Sequence, residues 1–81
     1  MIELALAFVL LNVEPGGEDE IRATLSKLDE VIESHTVYGT YDMVVRLTSE
    51  TLDDIKKIVT GKIRKLDKVR STLTMLVVEQ P

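Results

Sequence analysis

The chain has no cysteine and no tryptophan, and only one histidine (His35), one asparagine (Asn12), one glutamine (Gln80) and two prolines. Without cysteine there is no disulfide framework, no thiolate metal site and no Cys-His nucleophile, a usage that suits a reducing cytosol. With a single imidazole, a Ser-His-Asp set rests wholly on His35, and a metal centre would need several carboxylates to converge on it. The residues therefore point to no catalytic group, no metal and no cofactor. Few amide side chains beside 30% charged residues is a composition seen in heat-adapted proteins, and it suggests a thermophile. Aromatics make up 4% of the chain and stay out of its basic stretch, so no base-stacking platform is present. A net charge of −4 works against a phosphate backbone and argues against direct nucleic-acid binding. The apolar start, Met1 to Leu11, is broken by Glu3, follows no basic residue and leads to no small-residue cleavage site; it is also too short to cross a bilayer. A cytoplasmic protein with no membrane contact is the expectation.

What is present reads as one domain, residues 1–81, with an apolar fraction of 44%. A chain of this length buries only about 60% of its unfolded surface, so its core is thin and a partner surface would help it. Ile2 to Val13 reads as a long strand apolar on both faces: Ile2, Leu4, Leu6, Phe8 and Leu10 point one way and Ala5, Ala7, Val9 and Leu11 the other. Glu14-Pro15-Gly16-Gly17 breaks it. A helix follows from about Glu18 to Asp29, with Ile21, Leu25 and Leu28 as its buried stripe. Val31 to Tyr38 and Met43 to Leu47 read as strands joined by the Gly39 turn. Ser49 or Thr51 caps a second helix whose stripe is Leu52, Ile55, Val59, Ile63 and Leu66, with Gly61 marking a close contact or a bend. The last strand, Val69 to Val78, alternates Ser71, Leu73, Met75 and Val77 with Arg70, Thr72, Thr74, Leu76 and Val78.

The order is strand, helix, strand, strand, helix, strand, and the halves echo each other: Asp19-Glu20-Ile21 matches Asp53-Asp54-Ile55, and Leu28-Asp29-Glu30-Val31 matches Leu66-Asp67-Lys68-Val69. Two βαβ units with right-handed crossovers give an α+β, ferredoxin-like βαββαβ fold, a four-stranded antiparallel sheet with both helices on one face. The other face is left apolar and open, which predicts a dimer with sheet against sheet. Charge is also divided. Residues 14–35 carry seven carboxylates against Arg22 and Lys27, whereas residues 56–70 carry seven cations. Two oppositely biased solvated helix faces and complementary patches in an assembly are both compatible with that division.

Function concentrates at Thr36-Val37-Tyr38-Gly39-Thr40-Tyr41-Asp42. Gly39 can take a backbone angle closed to other residues and expose its N–H and C=O. A free amino acid is a zwitterion; Asp42 can face its ammonium and the Gly39-Thr40-Tyr41 backbone its carboxylate. Two readings of Asp42 stand: ligand contact, or a strand-start residue bonding the turn's own backbone.

The βαββαβ order, His35 to Asp42 and the ending Val69-Arg70-Ser71-Thr72-Leu73-Thr74-Met75-Leu76-Val77-Val78 together resemble the effector-binding domain of the leucine-responsive regulatory protein and AsnC family. That family's pattern is Thr-Gly-x-Tyr/Phe-Asp, an apolar strand, and later Val-x-x-Thr-x-Thr before a final apolar strand. Tyr38 stands where the family has Thr, and no helix-turn-helix domain precedes the match, so the resemblance is to a stand-alone effector domain. It implies a sheet-to-sheet homodimer, assembly into tetramers or octamers, and amino-acid binding in clefts between dimers, with a full-length regulator of the same family as a partner. By carry-over, Gly39, Thr40, Tyr41 and Asp42 are ligand contacts, with Met75 and Leu76, then Thr72 and Thr74, lining the pocket. Acylphosphatase shares the topology, but its arginine-bearing phosphate loop has no counterpart in the acidic Asn12 to Gly17. Two rival classes stay open: a small dimeric α+β barrel enzyme of monooxygenase or isomerase type, and a purely structural oligomerisation module.

Overall fold

The computed structural model describes residues 4–78, so Ile2, assigned to the first strand above, lies outside the described residues. The elements are β1 (Ala5–Val13), α1 (Glu18–Leu25), β2 (Val31–Thr36), β3 (Met43–Ser49), α2 (Leu52–Ile58), a π-helical continuation of α2 (Val59–Ile63) and β4 (Val69–Leu76). β1 pairs antiparallel with β3 on one side and β4 on the other, and β2 pairs with β3, giving the order β2-β3-β1-β4. This is the ferredoxin-like arrangement that the element order predicts.

The pleat divides β1 into two apolar rows. Ala7, Val9, Leu11 and Val13 are buried beside Met43, Val45 and Leu47 of β3, and they meet Ile21 and Leu25 of α1 and Ile55, Ile58, Val59 and Ile63 of the second helix. Burying a side chain of this size contributes about 1.5–3 kcal/mol, so this row holds the helices to the sheet. Leu6, Phe8 and Leu10 form the other row and are only half-buried. Across the ladder Leu10 meets Leu73 and Val44, and Phe8 meets Met75 and Arg46. Leu73 and Met75 are 44% and 45% exposed, because among the described residues no helix covers this face.

The element ends differ from the expected ones for local reasons. α1 stops at Leu25, not Asp29. The N–H groups of Lys27 and Leu28 reach carbonyls only three residues back, on Thr24 and Leu25, and Ser26 Oγ bonds the Ala23 carbonyl at 2.7 Å. That tightening ends the helix, though Leu28 still packs against the core. At the helix start, a Cβ on Gly17 would fall 2.7 Å from Lys68 Cβ, so only glycine lets the chain pass there. β2 ends at Thr36 and leaves Val37 and Tyr38 outside the sheet.

α2 is capped by Thr51, whose hydroxyl accepts the Asp54 N–H at 3.0 Å; Ser49 belongs to β3. Leu52, placed in the buried stripe, is 38% exposed, and Ile58 is buried in the core. Beyond Ile58 the helix widens: the Arg64 N–H bonds the Val59 carbonyl, five residues back, at 2.9 Å. Gly61 sits inside this wide turn and marks no close contact, since a Cβ there meets nothing within 4 Å. Its low helix propensity suits a departure from α geometry.

Candidate functional site

The turn between β2 and β3 is stitched to the end of β1 by Asp42. Val37 N–H donates to the Asp42 carbonyl and Asp42 N–H to the Leu11 carbonyl, both at 2.9 Å. The Asp42 carboxylate accepts the Val13 N–H through Oδ2 at 2.8 Å, a side-chain rung added where the β1–β3 ladder stops. Its partner is therefore the neighbouring strand rather than the turn's own backbone. Arg22 of α1 donates to the Thr36 hydroxyl and ties down the end of β2. Between these anchors Tyr38, Gly39 and Thr40 are exposed, and Tyr41 and Asp42 are half-buried. Gly39 has φ +153°, and a Cβ there meets nothing within 4 Å, so its glycine is required by backbone angle and not by crowding. The N–H groups of Gly39, Thr40 and Tyr41 and the second oxygen of Asp42 make no hydrogen bond among the described residues. The turn thus carries backbone donors and one carboxylate oxygen without hydrogen-bond partners among the described residues, all within Gly39–Asp42.

The four β4 candidates do not stay together. Successive strand residues face opposite sides. Thr72, Thr74 and Leu76 point to the helix side, whereas Met75 lies on the open face opposite Phe8. The helix-side trio lines a groove of about 410 Å³ with Lys56, Val59, Thr60 and Arg64. The groove exists because α2 packs over β1 and β3, leaving the β4 edge thinly covered. Within one protomer it lies across β1 from the turn, since β1 separates β3 from β4. The helix residues of this groove are absent from the sequence-based candidates, although Lys56, Thr60 and Arg64 recur every four residues, the spacing of one helix face.

A charged cluster lies where the open face meets the β2 edge. Glu33 Oε2 is 3.0 Å from His35 Nε2, and Glu33 Oε1 is 2.9 Å from Arg46 Nε. The Arg46 Nε is buried and forms no directed hydrogen bond despite that contact. The hydrogen bond from His35, and then the Arg46 charge, hold the Glu33 carboxyl below its ordinary value. The one histidine thus pairs with Glu33 in this exposed cluster. Among the described residues no helix is long and apolar enough to cross a membrane.

With this geometry in place, comparison with known proteins is specific. The family profile described as Lrp/AsnC ligand binding domain matches residues 6–81. The HTH-type transcriptional regulator FL11 of Pyrococcus horikoshii is 31% identical over 74 residues, which is 91% of this chain and 48% of that protein. This chain spans about half the length of the curated relatives it matches. Among solved structures, FFRP-DM1 superposes with a TM-score of 0.88 at 36% identity, covering 91% of this chain and 99% of that one. The complex of transcriptional regulator NMB0573 with L-Met from Neisseria meningitidis superposes with a TM-score of 0.86, covering 94% of this chain and 51% of that one. At 14% identity that likeness is one of fold. The matched profile runs through the turn, the open-faced sheet and the β4 threonines alike, and on that ground the chain belongs to the Lrp/AsnC ligand binding domain family.

Proposed function

We propose that this chain is an effector domain that binds a small free amino acid at the Gly39–Asp42 turn and passes occupancy, through its own assembly, to a transcriptional regulator of the same family. One observation carries the ligand class. Asp42 keeps one carboxylate oxygen unspent beside three unspent backbone N–H groups, a pairing of charges that fits a zwitterion. The methionine complex of the fold relative is in keeping with an amino-acid ligand. Assembly follows from the open face, whose apolar row of Leu6, Phe8, Leu10, Leu73 and Met75 suits a second copy laid sheet against sheet. Tetramers or octamers of such dimers would bring the turn of one protomer to the helix side of another, where Thr72, Thr74 and Leu76 lie. The role is regulatory and not enzymatic; the relatives matched are transcriptional regulators.

Calorimetric titration of the assembled protein with individual amino acids tests this reading. Saturable binding is expected for at least a few. Asp42→Asn is the informative variant, because its amide oxygen still accepts the Val13 N–H while the charge is gone. Its affinity should fall by a factor of about ten to a hundred, the worth of one charge-assisted contact of about 1.5–3 kcal/mol. If no amino acid binds at millimolar concentration, or if Asp42→Asn binds as well as the parent, the turn is structural only.

A further inference from the structure

The open face of the sheet is not apolar throughout. Residues directly opposite one another in a ladder share a side, so Phe8 shares its side with Arg46 and Leu10 with Val44, and these in turn with Glu33 and His35 of β2. The irregularity after Val31 makes this possible: Val31 packs toward the helices, yet Glu33, two residues on, stands opposite Arg46. The face is thus zoned, with an apolar row over β1 and β4 and a charged strip over β2 and β3. Within the strip Glu33 holds His35 through one oxygen and Arg46 through the other. His35 Nδ1 makes no hydrogen bond among the described residues, and the side chain is 61% exposed in one protomer, so the ring has a free position for a proton. The other element packed on β2 is α1, from the far side of the sheet, where its Arg22 is paired with Asp19 and bonded to Thr36.

We propose that this strip makes assembly proton-sensitive: the sheet-to-sheet dimer forms while His35 is neutral and loosens when His35 takes up a proton. The inference rests on the open-face dimer of the proposed function. With a neutral ring, one carboxylate and one guanidinium balance. With a charged ring, each protomer brings one excess positive charge to the seam. Histidine is the side chain whose charge changes between pH 8 and pH 5. Arginine stays charged over that range, and Glu33 does too, because the His35 hydrogen bond and then the Arg46 charge hold its carboxyl below the ordinary value. The Glu33–His35 pair exists in monomer and dimer alike and so favours neither. Loss of water around an imidazolium, and its repulsion from the second copy's, arise only on association. The dimer therefore binds protons less readily than two monomers, and by linkage its association weakens as pH falls.

Sedimentation equilibrium on the full chain at pH 7.5, 6.5 and 5.5, at constant ionic strength, tests this. The dimer dissociation constant is expected to rise at least about tenfold from pH 7.5 to 5.5, with circular dichroism showing the fold unchanged. His35→Gln should dimerise at pH 7.5 and lose most of that pH dependence. Glu33→Gln leaves Arg46 unbalanced, so its dimer should be weaker than the parent's at every pH and should still weaken on acidification. A chain that is monomeric at pH 7.5 overturns the open-face dimer and this proposal with it. A parent dimer equally strong or stronger at pH 5.5, or a pH dependence that persists in full in His35→Gln, overturns this proposal alone and leaves the dimer standing.

Discussion

Asp42 combines two roles that a sequence presents as alternatives. One oxygen holds the Val13 N–H and completes the edge of the β1–β3 ladder; the other makes no hydrogen bond among the described residues. Replacing the residue by alanine orphans a part-buried donor, a loss of about 1–3 kcal/mol. Urea unfolding should therefore show Asp42→Ala clearly less stable than the parent, with Asp42→Asn lying between the two. An Asp42→Ala protein as stable as the parent would mean that the Val13 bond contributes nothing. Gly39 obeys the same logic. Its φ of +153° is costly for a β-branched residue whether or not a ligand is present, so any binding loss in Gly39→Val has to be read beside its stability.

At the scale of elements, the second helix is the least regular piece of the molecule. Its start is conventional, with Thr51 capping it and Asp53 and Asp54 in the first turn. Its end is not, since the chain widens to a π-helical turn around Gly61. Nothing crowds a Cβ at that position, and its φ is not positive. Gly61→Ala is therefore expected to stabilise the domain by about 0.4–1 kcal/mol through the unfolded chain, a rise of a few degrees in Tm by calorimetry. A fall in Tm would show that the wide turn depends on glycine. The helix itself could be read from its stripe, and Ile55, Val59 and Ile63 are buried as the spacing requires. The departure from α geometry could not, because a single glycine in a helical pattern does not distinguish a bend from a widened turn.

The whole molecule is a thin sheet with one face sealed by helices and one left apolar. Leu73 and Leu76 sit three residues apart on β4 and face opposite sides. If the open face is the dimer seam, Leu73→Lys places a charge in it and should yield a folded monomer in light scattering, since an unpaired buried charge is worth about 3–5 kcal/mol. Leu76→Lys should leave the dimer intact, because that side chain borders the β4 groove on the helix side. Dimers in both variants would rule out the seam. A standard interface of about 800 Å² per partner would bring the Glu33, His35 and Arg46 cluster to its margin, where the opposite charges already neutralise one another within each protomer.

Alternation along β1 and β4, the two helix stripes and the acidic first turn of α1 were sufficient to determine the element order, the antiparallel fold and the existence of an uncovered apolar face. These are local properties, written in periods of two and of about 3.6 residues. The family was legible for the same reason, since the turn and the β4 threonines are short contiguous motifs. Which β4 residues share a face with the helices, and hence that Met75 parts from Thr72, Thr74 and Leu76, was decided by register against β1. The Asp42 bond to Val13 and the meeting of Lys56 and Arg64 with Thr72 and Thr74 join residues distant in the chain. No periodicity encodes such meetings; they follow from where α2 comes to rest on the sheet, over β1 and β3 with the β4 edge left open.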